Sequence, residues 1–262
     1  FSFYKLDISN KKDLDDVFQS FRPNKVVNLA AQAGVRYSLK NPYEYINTNI
    51  VGFLNILECC RHYNTKGLIY ASSSSVYGGN KKIPFFEKDR VDHPISIYAA
   101  SKKSNELMAY TYNHLYGLRT TGLRFFTVYG PWGRPDMAMY IFVKNILNDE
   151  PITVYNKGKM ERDFTYIDDI IQGTRAAIEK NYNNEVFNLG NNRIENLMDM
   201  ISIIEQCINK KAIIEFADIQ PGDVVRTVAD IEKSKKLLNF KPKTNIDTGI
   251  KNFVEWYKEY QL

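Results

Sequence analysis

Short apolar runs alternate with helical patterns of crossover length through the first half of the chain. Nothing else in the sequence constrains the fold as much. Lys25 to Ala31 (KVVNLAA) and Gly67 to Ser72 (GLIYAS) are continuous apolar runs, suited to parallel strands buried on both faces. Leu118 to Val128 reads as another strand, and Phe1 to Asp7 alternates large apolar and polar residues as a strand does. Between them, Asn10 to Phe21 sets Leu14, Val17, Phe18 and Phe21 at helical spacing, with Asn10 as N-cap. Pro42 to Tyr63 predicts a long helix with Ile46, Ile50, Phe53, Leu54 and Leu57 on one side. Ile95 to Tyr116 predicts another, stopped by Gly117. Strands joined by helical crossovers make an α/β fold, a parallel sheet with helices on both faces.

After Gly130 the pattern changes. A Pro- and Gly-rich loop (GPWGRPD) leads into a helix near Met137 to Asn148. Short pieces follow at 152–155, 167–179, 185–189, 195–208 and 212–216, and the chain closes with 230–238 and an aromatic-rich helix at 246–260. The expected division is 1–130 and a smaller α/β lobe at 131–262, partly interleaved with the first.

A chain of 262 residues can bury a sizeable core without staples. Three cysteines, Cys59, Cys60 and Cys207, form no framework and no C-x-x-C pair, which points to a reducing, cytoplasmic setting without a zinc site. Cys59 and Cys60 read as core or interface packing. His62, His93 and His114 show no ligand spacing, so no metal is expected. No apolar run approaches the ~18–20 residues of a membrane span. The net charge is +5, but its lysines are interspersed with acids, so neither a nucleic-acid nor a membrane surface is expected.

The segment YAASK carries chemistry. Tyr98 and Lys102, four residues apart, share one helix face. A lysine charge there favours the phenolate and draws the tyrosine pKa down from ~10. Such a phenol can exchange a proton with a substrate hydroxyl near neutral pH. The serines 72–75 end the preceding strand, where ligands of open α/β sheets sit. A chance Y-x-x-x-K is the alternative. The order strand, serine run, VYG turn and Y-x-x-x-K helix speaks against it.

Together with NLAAQAG at 28–34, SSSSVYG at 72–78, LRFFTVYGP at 123–131, RDFTYIDD at 162–169 and PGD at 221–223, the chain resembles the extended short-chain dehydrogenase/reductases, the nucleotide-sugar epimerase and dehydratase group. The resemblance implies a Rossmann-type doubly wound sheet that binds NAD, and a C-terminal lobe that grips a UDP-sugar. It implies Tyr98 as base, Lys102 as its partner and nicotinamide-ribose ligand, and Ser73 as the hydroxyl beside the sugar's O4. Asp7 resembles the acid near the adenine. Ala30, Ala31 and Gln32 resemble the strand end along the cofactor, and Thr48 sits where many members place an asparagine. Arg162 resembles the arginine on the diphosphate and Asp223 the acid on the uridine ribose. Gln220 replaces an arginine common in epimerases, so diphosphate recognition there differs. A homodimer through the 42–63 and 95–116 helices is also implied.

By the family pattern, dehydratases carry Asp-Glu, and uronate decarboxylases a Glu, where this chain has Ser74 and Ser75. Serine cannot act as general acid or base, which leaves 4-epimerisation. A uronate oxidised at C4 is a β-keto acid, and its carboxylate must be held against loss. Ser73, Ser74, Ser75, Thr127 and Arg134 suit that cradle, which points to UDP-glucuronate and UDP-galacturonate in surface-polysaccharide synthesis. Arg134 bracing its own loop is the alternative. A neutral UDP-sugar such as UDP-glucose or UDP-N-acetylglucosamine, or an inactive fragment acting as scaffold, also remain open. Phe1 to Asp7 matches the third Rossmann strand. The Gly-rich loop and about 45–65 residues of the first βαβ portion are therefore expected to be missing. Poor NAD binding and aggregation of the chain alone are expected with it.

Overall fold

The computed structural model describes residues 1–261. In chain order they form α1 (Lys11–Phe21), β1 (Lys25–Asn28), α2 (Val35–Lys40), α3 (Pro42–Tyr45), a π-helical turn (Ile46–Gly52), α4 (Phe53–His62), β2 (Gly67–Ser73), a 3₁₀ turn (Ser74–Tyr77), α5 (Ile97–Tyr116), β3 (Thr120–Phe125) and β4 (Thr127–Tyr129). They continue with α6 (Ala138–Leu147), β5 (Pro151–Tyr155), β6 (Glu161–Arg162), β7 (Phe164–Tyr166), α7 (Ile167–Lys180), β8 (Asn184–Leu189), β9 (Glu195–Asn196), α8 (Leu197–Ile208), β10 (Ile213–Ala217), α9 (Glu232–Leu238) and α10 (Ile246–Gln261). The chain divides into two compact units. One holds 1–81, 87–125 and 174–188, and the other 82–86, 126–173 and 189–262.

The first unit is built on a sheet of order β1-β2-β3-β8, with β1, β2 and β3 parallel. β2 lies between two partners and is buried at six of its seven residues, as its unbroken apolar run requires. Local signals set the helix ends. The Asn10 side chain accepts from the Asp13 N–H and starts α1. Ser96 does the same for Ala99 at the start of α5, and Gly117, at φ 66°, ends that helix with its N–H on the Asn113 carbonyl. Leu14, Phe18, Phe53, Leu57, Leu68, Tyr70 and Ala109 share one core with Cys59 and Cys60. The two cysteines are thus core residues, and burial raises their thiols to about 11 and about 12, so both stay protonated at neutral pH.

The 25–31 run, read as a strand buried on both faces, is instead the edge strand β1, exposed at Lys25 and Val27 because only β2 pairs with it among the described residues. Three further expectations change. Residues 1–7 form no strand. An alternating pattern becomes a strand only with a ladder partner, and among the described residues β1 pairs with β2 alone. Phe1, Phe3 and Tyr4 are exposed. The long 42–63 helix is interrupted by the π-turn, whose extra residue rotates the buried face. Ile46 and Leu54 therefore face out, while Asn49, Phe53, Ile56 and Leu57 face in. The strand read at 118–128 breaks at Phe126, with β3 in the first unit and β4 in the second.

The second unit has three small ladders: β5 with β10 and β4 with β7, both parallel, and β6 antiparallel to β9. Its core joins α6 (Phe142, Val143, Ile146), β5 (Ile152, Val154), α8 (Met200, Ile201, Ile204) and α10 (Ile250, Phe253, Val254). Residues 174–188, within the span expected for the smaller lobe, cluster with the first unit.

Candidate active site

β2 ends in the serine run, and the chain turns sharply after it. Gly78 has φ 56°, and a Cβ there would meet the His93 carbonyl oxygen at 2.3 Å, so only glycine closes this turn. Ser73 is buried, and its Oγ accepts from the Ser75 N–H at 3.1 Å. That bond leaves the Ser73 hydroxyl proton to be donated. Ser74 and Ser75 are half-buried in the 3₁₀ turn.

Tyr98 and Lys102 lie on adjacent turns of α5, with the Lys102 Nζ 6.0 Å from the centre of the Tyr98 ring. Lys102 is 4% exposed and donates to the Ala71 carbonyl at 2.8 Å. Loss of water draws its pKa down to about 8. Tyr45 is fully buried, meets the Tyr98 ring edge-on at 6.1 Å, and donates to the carbonyls of Ala33 and Gly34.

Gln32 is clamped at both backbone groups by Asn49, which accepts from its N–H at 2.8 Å and donates to its carbonyl at 2.9 Å. Asn49 also donates to Ser101 Oγ, which donates to the Tyr98 carbonyl, and it receives a bond from Asn105 on its own carbonyl. The strand end 30–32 is so tied to the turn that bears Tyr98. Thr48, the residue expected here, is half-buried, and the clamp belongs to its neighbour. Of residues 47–49 only Asn49 is buried, and the π-turn that carries it sets which of them faces inward. Asp7 is exposed, and its carboxylate accepts from the N–H and the hydroxyl of Ser9, which hold it below the usual carboxylate range. Ala30 is exposed, and Ala31 and Gln32 are half-buried.

In the second unit, Thr127 and Arg134 line one pocket of about 40 Å³, together with Tyr129, Met137, Tyr140 and Phe164. The Arg134 guanidinium holds Asp136 bidentately at 2.9 and 2.5 Å. Arg162, on β6, donates to the Val225 carbonyl at 3.0 Å, which links it to the loop bearing Asp223. Asp223 closes a turn through its N–H to the Gln220 carbonyl at 3.1 Å. Asp163, fully buried, accepts from the N–H groups of Asn191, Asn192 and Ala229 and from the Thr165 hydroxyl. It joins three segments around Arg162, and burial raises its carboxyl to about 6 against those donors.

A phenol and a buried ammonium on one helix face, with a serine at the end of a strand in a parallel α/β sheet, are the groups that proton and hydride transfer at a carbinol with a nicotinamide cofactor calls for. The residues fit such a cofactor. A buried ammonium has three donors, and among the described residues Lys102 uses one, on Ala71. The hydroxyls of a bound ribose would supply acceptors for the other two, and Ala30 and Ala31 put only small side chains at the strand end. The model of the NAD dependent epimerase/dehydratase family matches residues 2–190, and the chain belongs to that family. It is an NAD-dependent enzyme of the isomerase class with a Rossmann-type fold.

The UDP-glucuronate 4-epimerase of Thermodesulfobacterium geofontis is 46% identical over 99% of this chain and 80% of its own. The structure of UDP-glucuronic acid 4-epimerase from Bacillus cereus, in complex with UDP-glucuronic acid and NAD, matches with a TM-score of 0.92 and 37% identity, covering 99% of this chain and 82% of that one. UDP-glucose 4-epimerase from Thermotoga maritima, with UDP-glucose, matches at 0.95 and 31% identity, covering 99% and 85%. No helix among the described residues is long and apolar enough to cross a membrane.

Proposed function

We propose that the chain, in class an NAD-dependent UDP-sugar 4-epimerase, acts on a UDP-uronic acid and interconverts UDP-glucuronate and UDP-galacturonate. Tyr98 takes the proton of the sugar's 4-hydroxyl and later returns it, and Lys102 stabilises the phenolate by its charge. Ser73, its Oγ oriented by Ser75, hydrogen-bonds the same hydroxyl. Bound NAD supplies the acceptor and donor of the C4 hydride. Gln32, with Ala30 and Ala31, lines the cofactor, and Asp7 reaches its adenine side. Arg162 and Asp223 hold the diphosphate and uridine ribose.

The observation that carries the uronate reading is the pairing of Thr127 and Arg134 on one small pocket. Arg134 already grips a carboxylate through both arms of its fork, that of Asp136. A substrate carboxylate would be taken in the same way, in exchange for Asp136. Ser74 and Ser75 offer hydroxyls and no acid/base that could drive elimination or assist decarboxylation. A second reading, a neutral UDP-sugar as substrate, is favoured by the likeness to the Thermotoga enzyme and by an Arg134 already neutralised in the free protein. Turnover of UDP-glucuronate and UDP-glucose side by side separates the two. Arg134→Ala is expected to raise KM for the uronate at least about tenfold, as loss of a charge-assisted bidentate contact does, and to leave UDP-glucose kinetics unchanged. Unchanged uronate kinetics would remove the cradle.

The proposal includes a homodimer. Leu107, Tyr110 and Leu115 of α5 are exposed, as are Val51 and Leu54 around the π-turn and α4. These apolar residues suit a bundle with the same helices of a second copy.

A further inference from the structure

Behind the Tyr98–Lys102 pair, α5 carries Glu106 one turn further on the same face. Glu106 is 5% and Arg124, on β3, 3% exposed at the side chain. Arg124 grips the carboxylate bidentately, Nε to Oε1 at 2.8 Å and Nη2 to Oε2 at 2.9 Å. Ser72 Oγ donates to Oε1 at 2.7 Å, and Lys103 reaches Oε2 at 3.2 Å. The network continues, because Arg124 Nη1 donates to Tyr77 Oη, which donates to Asn188 Oδ1. Burial alone would push the Glu106 carboxyl up. The Arg124 hydrogen bonds and charge, with Ser72 and Lys103, outweigh it and hold the group below its ordinary value.

A buried ion pair is a poor device for stability, since an apolar pair of equal volume packs as well or better. It does fix direction. β2 is joined to α5 at consecutive residues, Ala71 by its carbonyl to Lys102 and Ser72 by its hydroxyl to Glu106. The next residue of β2 is Ser73. The bonds that set the register of α5 on β2 therefore set where Tyr98 stands relative to Ser73.

We propose that Ser72 and the Glu106–Arg124 pair are positioning residues of the reaction, holding α5 on β2 so that Tyr98 and Ser73 meet the same substrate hydroxyl. This rests on the roles given above to Tyr98, Lys102 and Ser73. Ser72→Ala removes one bond and leaves the ion pair whole, so the fold survives. In the NAD-loaded enzyme it is expected to lower kcat about tenfold and to slow the transient NADH absorbance by the same factor. KM for the UDP-sugar stays within about twofold. Glu106→Gln strands the Arg124 charge and lowers both stability and kcat. Adding Arg124→Met to Glu106→Gln restores the melting temperature, because the Arg124 charge is no longer left buried without its partner, but leaves kcat low. Recovery of kcat with stability in that double variant, or an unchanged kcat in Ser72→Ala, would overturn the proposal. Tyr98→Phe separates the two levels. If it keeps turnover, the catalytic reading fails and positioning with it. If it is inactive while Ser72→Ala is normal, positioning alone fails.

Discussion

Lys102 is charged in a place that disfavours charge. Its pKa falls from 10.5 to about 8 because burial strips the ammonium of water. Below pH 8 folded and unfolded chains both carry the proton, and the full cost, about 3 kcal/mol, stands. Between about 8 and 10.5 the unfolded chain binds more protons than the folded one. Stability therefore rises with pH through that window as the cost fades. Lys102→Met, compared at equal cofactor saturation, is expected to raise the melting temperature at pH 7 by several degrees and to lower kcat at least about 100-fold. Calorimetry and turnover check both, and a lower melting temperature would assign Lys102 to the fold instead. At this scale the placement of Tyr98 and Lys102 on one helix face and of Ser73 at a strand end was legible, because i, i+4 spacing and a strand end are local properties. Asn49 was not. Which residue of the 47–49 run faces Gln32 depends on the π-turn, and no spacing rule shows one extra residue in a helix.

Element by element, the strands and helices with strong signals at both ends lay where their signals put them, as α1 after Asn10 and α5 between Ser96 and Gly117 illustrate. Elements defined by distant partners did not. Residues 1–7 have the alternation of a strand and no ladder. β7, three residues within the RDFTYIDD motif, exists because β4 lies beside it. α10 depends on a close approach of the same kind. A Cβ at Gly249 would come 2.0 Å from the Tyr129 hydroxyl and 2.7 Å from its ring. Tyr129 is buried edge-on against Phe164 and Tyr166 and cannot swing aside. Gly249→Ala would gain about 0.5–1 kcal/mol of helix propensity. It would lose about 1–3 kcal/mol to overpacking, so thermal unfolding should show a lower melting temperature. A higher one would mean that the ring yields.

For the whole molecule, family membership and the motif order were readable because the motifs fall at strand ends and turns that local sequence defines. The association state was not, since exposed apolar residues on α5 fix no partner by themselves. Under the dimer proposal, Leu107→Glu with Tyr110→Glu is expected to give monomers in light scattering with unchanged circular dichroism. Dimers that persist would move the interface elsewhere. Under the uronate proposal, substrate choice turns on a few side chains, Thr127, Arg134 and the serines 73–75, within a fold shared by enzymes for neutral and acidic sugars. The most direct test is to incubate the NAD-loaded enzyme with UDP-glucuronate and resolve the products by NMR. The account predicts UDP-galacturonate accumulating to equilibrium with carbon dioxide not released. UDP-xylose, or turnover of UDP-glucose with none of UDP-glucuronate, would contradict it.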